Sequence, residues 1–127
     1  MAIWDGWSRI RRMGNGAVRL PREPLEILDV VSGEDHTLLL SGELDMAAED
    51  ELETAIVSCA NAARLTLDLS QLTFMDSTGL TLILLADDLC KAHGIVFALV
   101  PGRRQVQRVL EVAGVLDRLP FHVEARR

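Results

Sequence analysis

The sequence predicts an α/β fold, with a mixed, mostly parallel β-sheet that begins in an antiparallel hairpin. Two apolar runs, Leu25 to Val31 and His36 to Ser41, are separated only by Ser32-Gly33-Glu34-Asp35. A connection that short, made of turn residues, joins antiparallel strands. After residue 42, strand-like runs alternate with helical patterns, and such alternation builds βαβ units with parallel pairing. The chain has 127 residues, 49% of them hydrophobic and 25% charged. That is one globular domain, large enough to bury about two-thirds of its unfolded surface.

Residues 1–24 stand apart from the domain at 25–127. They contain Gly6, Gly14, Gly16, Pro21 and Pro24 and no sustained periodicity, which describes a flexible basic arm. Ile3, Trp7 and Ile10 share helical spacing with arginines nearby, the pattern of a short segment that touches a membrane surface or a partner. Gly14-Asn15-Gly16 has no strand before it and no helix after it, so it is not a phosphate loop.

After the hairpin, Asp45 is expected to cap a helix from about Met46 to Ala63. Ala48, Leu52, Ala55, Ile56, Cys59 and Ala63 form its core stripe. Glu49, Asp50, Glu51 and Glu53 crowd its first turns, where carboxylates complement the helix dipole. With no second ligand set, this cluster reads as a solvated acidic face. Arg64 to Leu69 suits a strand buried on both faces, and a tight loop is expected to come after it. A helix then runs from Ser77 to His93, ending in Lys91-Ala92-His93-Gly94 with cations and a terminal glycine. Ile95 to Val100 is a further buried strand. Next comes a helix from about Gly102 to Ala113, with Val106, Val109, Leu110 and Ala113 inward, and Gly114 closes it. Leu119 to Glu124 makes a final short strand or lies along the edge.

The whole is organised around Leu67 to Leu85. Asp76, Ser77 and Thr78 all favour a helix N-cap, where a side-chain oxygen accepts a free amide N–H. Projected at 100° per residue, Leu82, Ile83, Ala86, Leu89 and Cys90 gather on a core face. Ser77, Thr81, Leu84 and Asp88 fall on the other side. Leucine beside a hydroxyl pair on a solvent face suggests that this surface docks a partner, although single exposed leucines are ordinary.

Several classes of chemistry are disfavoured. His36, His93 and His122 are far apart and in no zinc spacing, so no metal site is expected. Ser77 lacks a G-x-S-x-G elbow, and its neighbour Asp76 is not a base oriented by a third group. No Walker sequence appears. Ser77 therefore does not read as a nucleophile, no catalytic residue is assigned, and the chain is not expected to be an enzyme. No cofactor is expected. Cys59 and Cys90 fall on apolar helix faces and read as buried thiols. No apolar run approaches the ~18 residues of a membrane span, and no signal peptide is recognised, so a cytoplasmic location is expected. Net charge is −6, yet residues 1–22 carry five arginines against one aspartate, which leaves the body strongly acidic. An acidic body argues against direct nucleic-acid binding and suits a basic protein partner.

Phe74-Met75-Asp76-Ser77-Thr78-Gly79-Leu80 resembles the signature of the STAS domain, and most of all the free-standing anti-sigma-factor antagonists. Gly42-Glu43-Leu44-Asp45 resembles the family's segment before its first helix. Val100-Pro101 with Val106, Arg108, Val109, Leu110 and Gly114 resembles its last strand–helix unit. The resemblance spans roughly residues 25 to 124 and implies a STAS-like sheet with helices mainly on one face. It implies phosphorylation of Ser77 by an anti-sigma factor that is itself a serine kinase, and reversal by a separate phosphatase. The implied partner-binding residues are Asp45, Asp76, Ser77, Thr78, Gly79, Thr81, Leu84 and Asp88. Unmodified protein would capture the anti-sigma factor and release a sigma factor to activate transcription. Met46-Ala47-Ala48 departs from the family by lacking hydroxyl residues after Asp45. The same resemblance admits an alternative, a non-phosphorylated subunit docking on an ABC-type ATPase of a phospholipid-transport complex. The sequence is compatible with a monomer or a weak dimer.

Overall fold

The computed structural model describes residues 23–121. Its order is β1 (Glu26–Ser32), β2 (Asp35–Leu44), a 3-10 turn (Met46–Ala48), α1 (Glu49–Val57), β3 (Arg64–Met75), α2 (Ser77–His93), β4 (Val96–Val100), α3 (Arg104–Val112) and a second 3-10 turn (Leu116–Arg118). The strands lie in the order β1-β2-β3-β4. The β1–β2 hairpin is antiparallel, and β2–β3 and β3–β4 are parallel. This is the mixed, mostly parallel sheet that the sequence predicts. The expectations for Ile3, Trp7 and Ile10, and for His122 and the end of the final segment, lie outside the described residues.

The core arises from strand alternation. Leu38 and Leu40 on β2, Leu65, Leu67 and Leu69 on β3, and Phe97 and Leu99 on β4 are buried beneath the helices. Leu38, Leu67 and Leu99 pair in one row across the sheet, which stacks three branched side chains on one face. The helices supply Leu52, Ile56, Ile83, Ala86, Val106 and Leu110 from the other side. On the opposite face Thr66, Asp68 and Ser70 are half-buried. The expectation that Arg64 to Leu69 is buried on both faces is therefore corrected: helices cover one face, and polar residues occupy the other.

Two boundaries also move. Strand β3 runs on to Met75, where the sequence reading places a loop, because β2 keeps pairing with it through register shifts at Leu39/Ser41 and Gly42/Glu43. Gly42 supplies the geometry with a φ of 93°, and a side chain there would collide with the backbone carbonyl of Pro24. The first helix begins as a 3-10 turn and ends at Val57 instead of Ala63. Residues 58–61 continue as turns, and Ala63 is exposed at the entrance to β3. The alanine stripe alone could not distinguish helix from turn at that point. At the other end of the chain, Leu99 and Phe121 form an isolated parallel bridge beside β4.

Candidate functional site at the start of helix α2

The site forms where β2 and β3 leave the sheet together. Leu44 and Met75 are paired in register, so Asp45 and Asp76 stand side by side as the next residue of each strand. Each aspartate caps the helical turn that it precedes. Asp45 Oδ1 accepts from the Ala47 N–H at 3.1 Å, and Asp76 Oδ1 accepts from the Thr78 N–H at 2.9 Å. The backbone is extended at both positions, as an N-cap requires. The Asp76 N–H donates to the Leu44 carbonyl at 3.3 Å, which ties the helix start to the neighbouring strand.

Of the three candidate caps in Asp76-Ser77-Thr78, Asp76 takes the role. Ser77 is the first helical residue and is exposed. Its hydroxyl makes no hydrogen bond among the described residues, whereas its carbonyl accepts from Thr81 Oγ1 at 3.0 Å. Thr78 is half-buried behind it. Gly79 is buried, and an added Cβ would collide with the Met75 side chain and press on Leu44. The glycine is thus what lets the first turn of α2 sit close against the ends of β2 and β3.

The remaining predicted site residues divide. Thr81 and Asp88 are exposed along the same helix surface as Ser77. Leu84 is half-buried and packs partly against the core, less exposed than the helical projection places it. Helix α2 touches both α1 and α3 as well as the sheet, and these neighbours widen its buried arc beyond what a single-helix projection allows. The exposed apolar side chains near the site are others. Phe74 is 40% exposed at the end of β3, Met46 is 58% exposed just after Asp45, and Leu85 is 37% exposed on α2. Phe74 belongs to the signature and Met46 adjoins the Gly42–Asp45 match. Only the strand register shows that both leave the sheet at the end where Ser77 lies.

Two polar residues carry no role in the sequence reading. Asp87 is only 5% exposed, and its carboxylate pairs with Lys91 Nζ at 3.0 Å. The i, i+4 spacing of acid and base is the available signal. Glu43 is half-buried beside Phe74 in the β2–β3 register, and its Oε2 accepts from the Glu23 N–H at 3.4 Å. Away from this site, an apolar cavity of about 90 Å³ is lined by Ile56, Cys59, Leu65, Leu89, Cys90 and Ile95, among others. Burial and nearby carboxylates raise both thiols, Cys90 to about 11, with Asp87 the second cause there and Asp29 at Cys59.

The site thus presents an exposed serine at a capped helix mouth, its hydroxyl making no hydrogen bond among the described residues. The STAS domain family model matches residues 28–126, and the chain belongs to that family. The fold is similar to that of an anti-sigma factor antagonist from Mycobacterium paratuberculosis, with TM-score 0.70 and 24% identity over 78% of this chain and 86% of that one. It is similar to the anti-sigma factor antagonist SpoIIAA in its unphosphorylated form, with TM-score 0.66 and 22% identity over 80% and 90% of the two chains. Phosphorylated SpoIIAA, described as a Bacillus cell fate determinant, matches with TM-score 0.61 and 21% identity over 80% and 93%. Among the described residues no helix is long and apolar enough to cross a membrane.

Proposed function

We propose that this chain is an anti-sigma-factor antagonist that works as a phosphorylation-controlled docking module. Unphosphorylated, it binds an anti-sigma factor serine kinase through the start of α2 and frees a sigma factor to activate transcription. Phosphorylation of Ser77 by that kinase releases it, and a phosphatase restores it. The docking surface comprises the exposed Ser77, Thr81 and Asp88 with the half-buried Asp76, Thr78 and Leu84, and the buried Asp45 and Gly79 support it from beneath. The structural similarity to proteins described as anti-sigma factor antagonists supports the general role.

The carrying observation is Ser77 itself: exposed, first in the helix, and relieved of capping by Asp76. A phosphate there would add about −1.5 to −2 charges at neutral pH. A helix N-terminus accommodates an anion, so the fold survives. An interface does not accommodate it as well, because the new charge adjoins Asp76 and must be desolvated. Mismatched charge in an interface costs several kcal/mol. At ~1.4 kcal/mol per tenfold, binding falls by about two to three orders of magnitude.

The test is a pull-down from native extract with wild-type, Ser77→Ala and Ser77→Glu baits, read out by mass spectrometry. Recovery of a kinase-like anti-sigma factor by the first two and not by Ser77→Glu is expected, with all three baits folded. Equal capture by all three would refute the switch. Recovery of a transporter ATPase by all three would replace the reading with that of a transport-complex subunit.

A further inference from the structure

Across the molecule from the α2 start, three donors of different chemistry converge. Asp29 on β1 and His36 on β2 are diagonal neighbours in the hairpin, since Asp29 pairs with Leu38 and Val31 with His36. Both lie on the helix-facing side of the sheet. His36 Nδ1 stands 3.0 and 3.1 Å from the two carboxylate oxygens of Asp29. The turn after α1 brings Cys59 to the same place, 1% exposed. One carboxylate oxygen, one imidazole nitrogen and the Cys59 Sγ all lie within 4.8 Å of one another.

We propose that Asp29, His36 and Cys59 form a three-ligand site for a borderline-soft divalent cation of the zinc type. Mixed oxygen, nitrogen and sulfur donors suit that ion. Tetrahedral zinc with bonds of about 2.0–2.3 Å holds its ligands about 3.3–3.8 Å apart. The observed cluster therefore closes by about one ångström of side-chain movement. The hairpin register already fixes the histidine against the carboxylate. Asp29 is exposed and His36 half-buried, so the fourth position faces solvent and takes water.

Binding displaces the Cys59 thiol proton to solvent and uses His36 with its proton on Nε2, leaving the Nδ1 lone pair toward the ion. Without a cation, Cys59 has no reason to ionise: burial and the Asp29 carboxylate both raise its pKa, and its Sγ–H points to the Ala55 carbonyl at 3.5 Å. A divalent ion inverts that balance, because its charge stabilises the thiolate more than the carboxylate opposes it. The linear sequence hides the site, since its ligands come from two strands and a distant turn.

The experiment is a titration of the full, reduced chain with Co²⁺ at neutral pH, then displacement with Zn²⁺. Wild type is expected to bind one equivalent, with a near-ultraviolet thiolate-to-cobalt band and tetrahedral d–d bands that vanish on adding Zn²⁺. Cys59→Ser removes the sulfur band. His36→Asn and Asp29→Asn weaken binding tenfold or more, and Cys90→Ser and His93→Asn change neither. Circular dichroism verifies each fold. If Cys59→Ser fails to fold, the more exposed Asp29 and His36 variants decide alone. Absence of a sulfur band in wild type overturns the assignment, as does unchanged affinity in His36→Asn or loss that tracks Cys90 or His93.

Discussion

Replacing Gly79 by alanine sets two known effects against each other. In a helix interior, Gly→Ala is worth about 1 kcal/mol of stabilisation from backbone entropy and propensity. Here the new methyl meets the Met75 side chain near its Cγ and Sδ, with Leu44 behind it. Met75 is 3% exposed and Leu44 0% exposed, so neither can swing into solvent. Forcing a methyl into such packing costs about 1–3 kcal/mol. The opposing terms leave a net destabilisation of about 1 kcal/mol, read as a lower urea midpoint at unchanged m-value. The decisive comparison is the same substitution in a Met75→Ala background. There the obstruction is gone, and Gly79→Ala is expected to stabilise by up to about 1 kcal/mol. A change of sign between backgrounds is thus the signature. Equal destabilisation in both would mean that Gly79 is required for some reason other than the approach of α2 to Met75.

Asp76→Ala removes the side-chain cap of α2 and is expected to cost about 1 kcal/mol, with Asp76→Asn recovering most of it in the same denaturation series. Leu67→Ala opens a void beneath the centre of the sheet, where Leu67 is 0% exposed; chemical unfolding is expected to show a loss of about 2–5 kcal/mol. The buried thiols predict an alkaline limit. Cys90 is raised from its ordinary 9.0 to about 11, so between those values the unfolded chain releases a proton that the folded one retains, and stability falls as pH rises. Cys90→Ala should flatten that limb of a stability–pH curve, and a curve unchanged by the substitution would contradict it.

Much of this fold is legible from residue pattern because the relevant interactions are local. The hairpin turn, the Asp45 cap, an N-cap within Asp76-Ser77-Thr78 and the Gly94 terminus of α2 are set by chemistry within a few residues. Gly94 adopts a φ of 71° as a C-terminal cap, and Ser77–His93 matches the expected helix. The features that pattern misplaces depend on distant partners. Strand β3 extends to Met75 because β2 continues beside it. Leu84 is sheltered because α2 has helical neighbours as well as a sheet. At the site, the signature locates Ser77, but the choice of Asp76 over Ser77 or Thr78 as cap is a matter of backbone angle and hydrogen-bond geometry. The apolar surroundings from Met46 and Phe74 emerge only when Leu44 is set opposite Met75. The gathering of Asp29, His36 and Cys59 is entirely a product of the fold.

Among the described residues strand β1 has a neighbour on one side only, and it carries Leu28 at 60% exposure, Val30 at 46% and Val31 at 54%. An unpaired, apolar strand margin is a template onto which another chain's backbone can add. Here Glu26 and Asp29 interrupt the run, and Glu34 and Asp35 stand at the turn beyond it. Two such margins brought together would set carboxylates against carboxylates, so mutual repulsion keeps the molecules from zippering edge to edge. That protection is electrostatic. It weakens as salt shortens the reach of that field, which makes β1 the place where self-adhesion of this protein would begin.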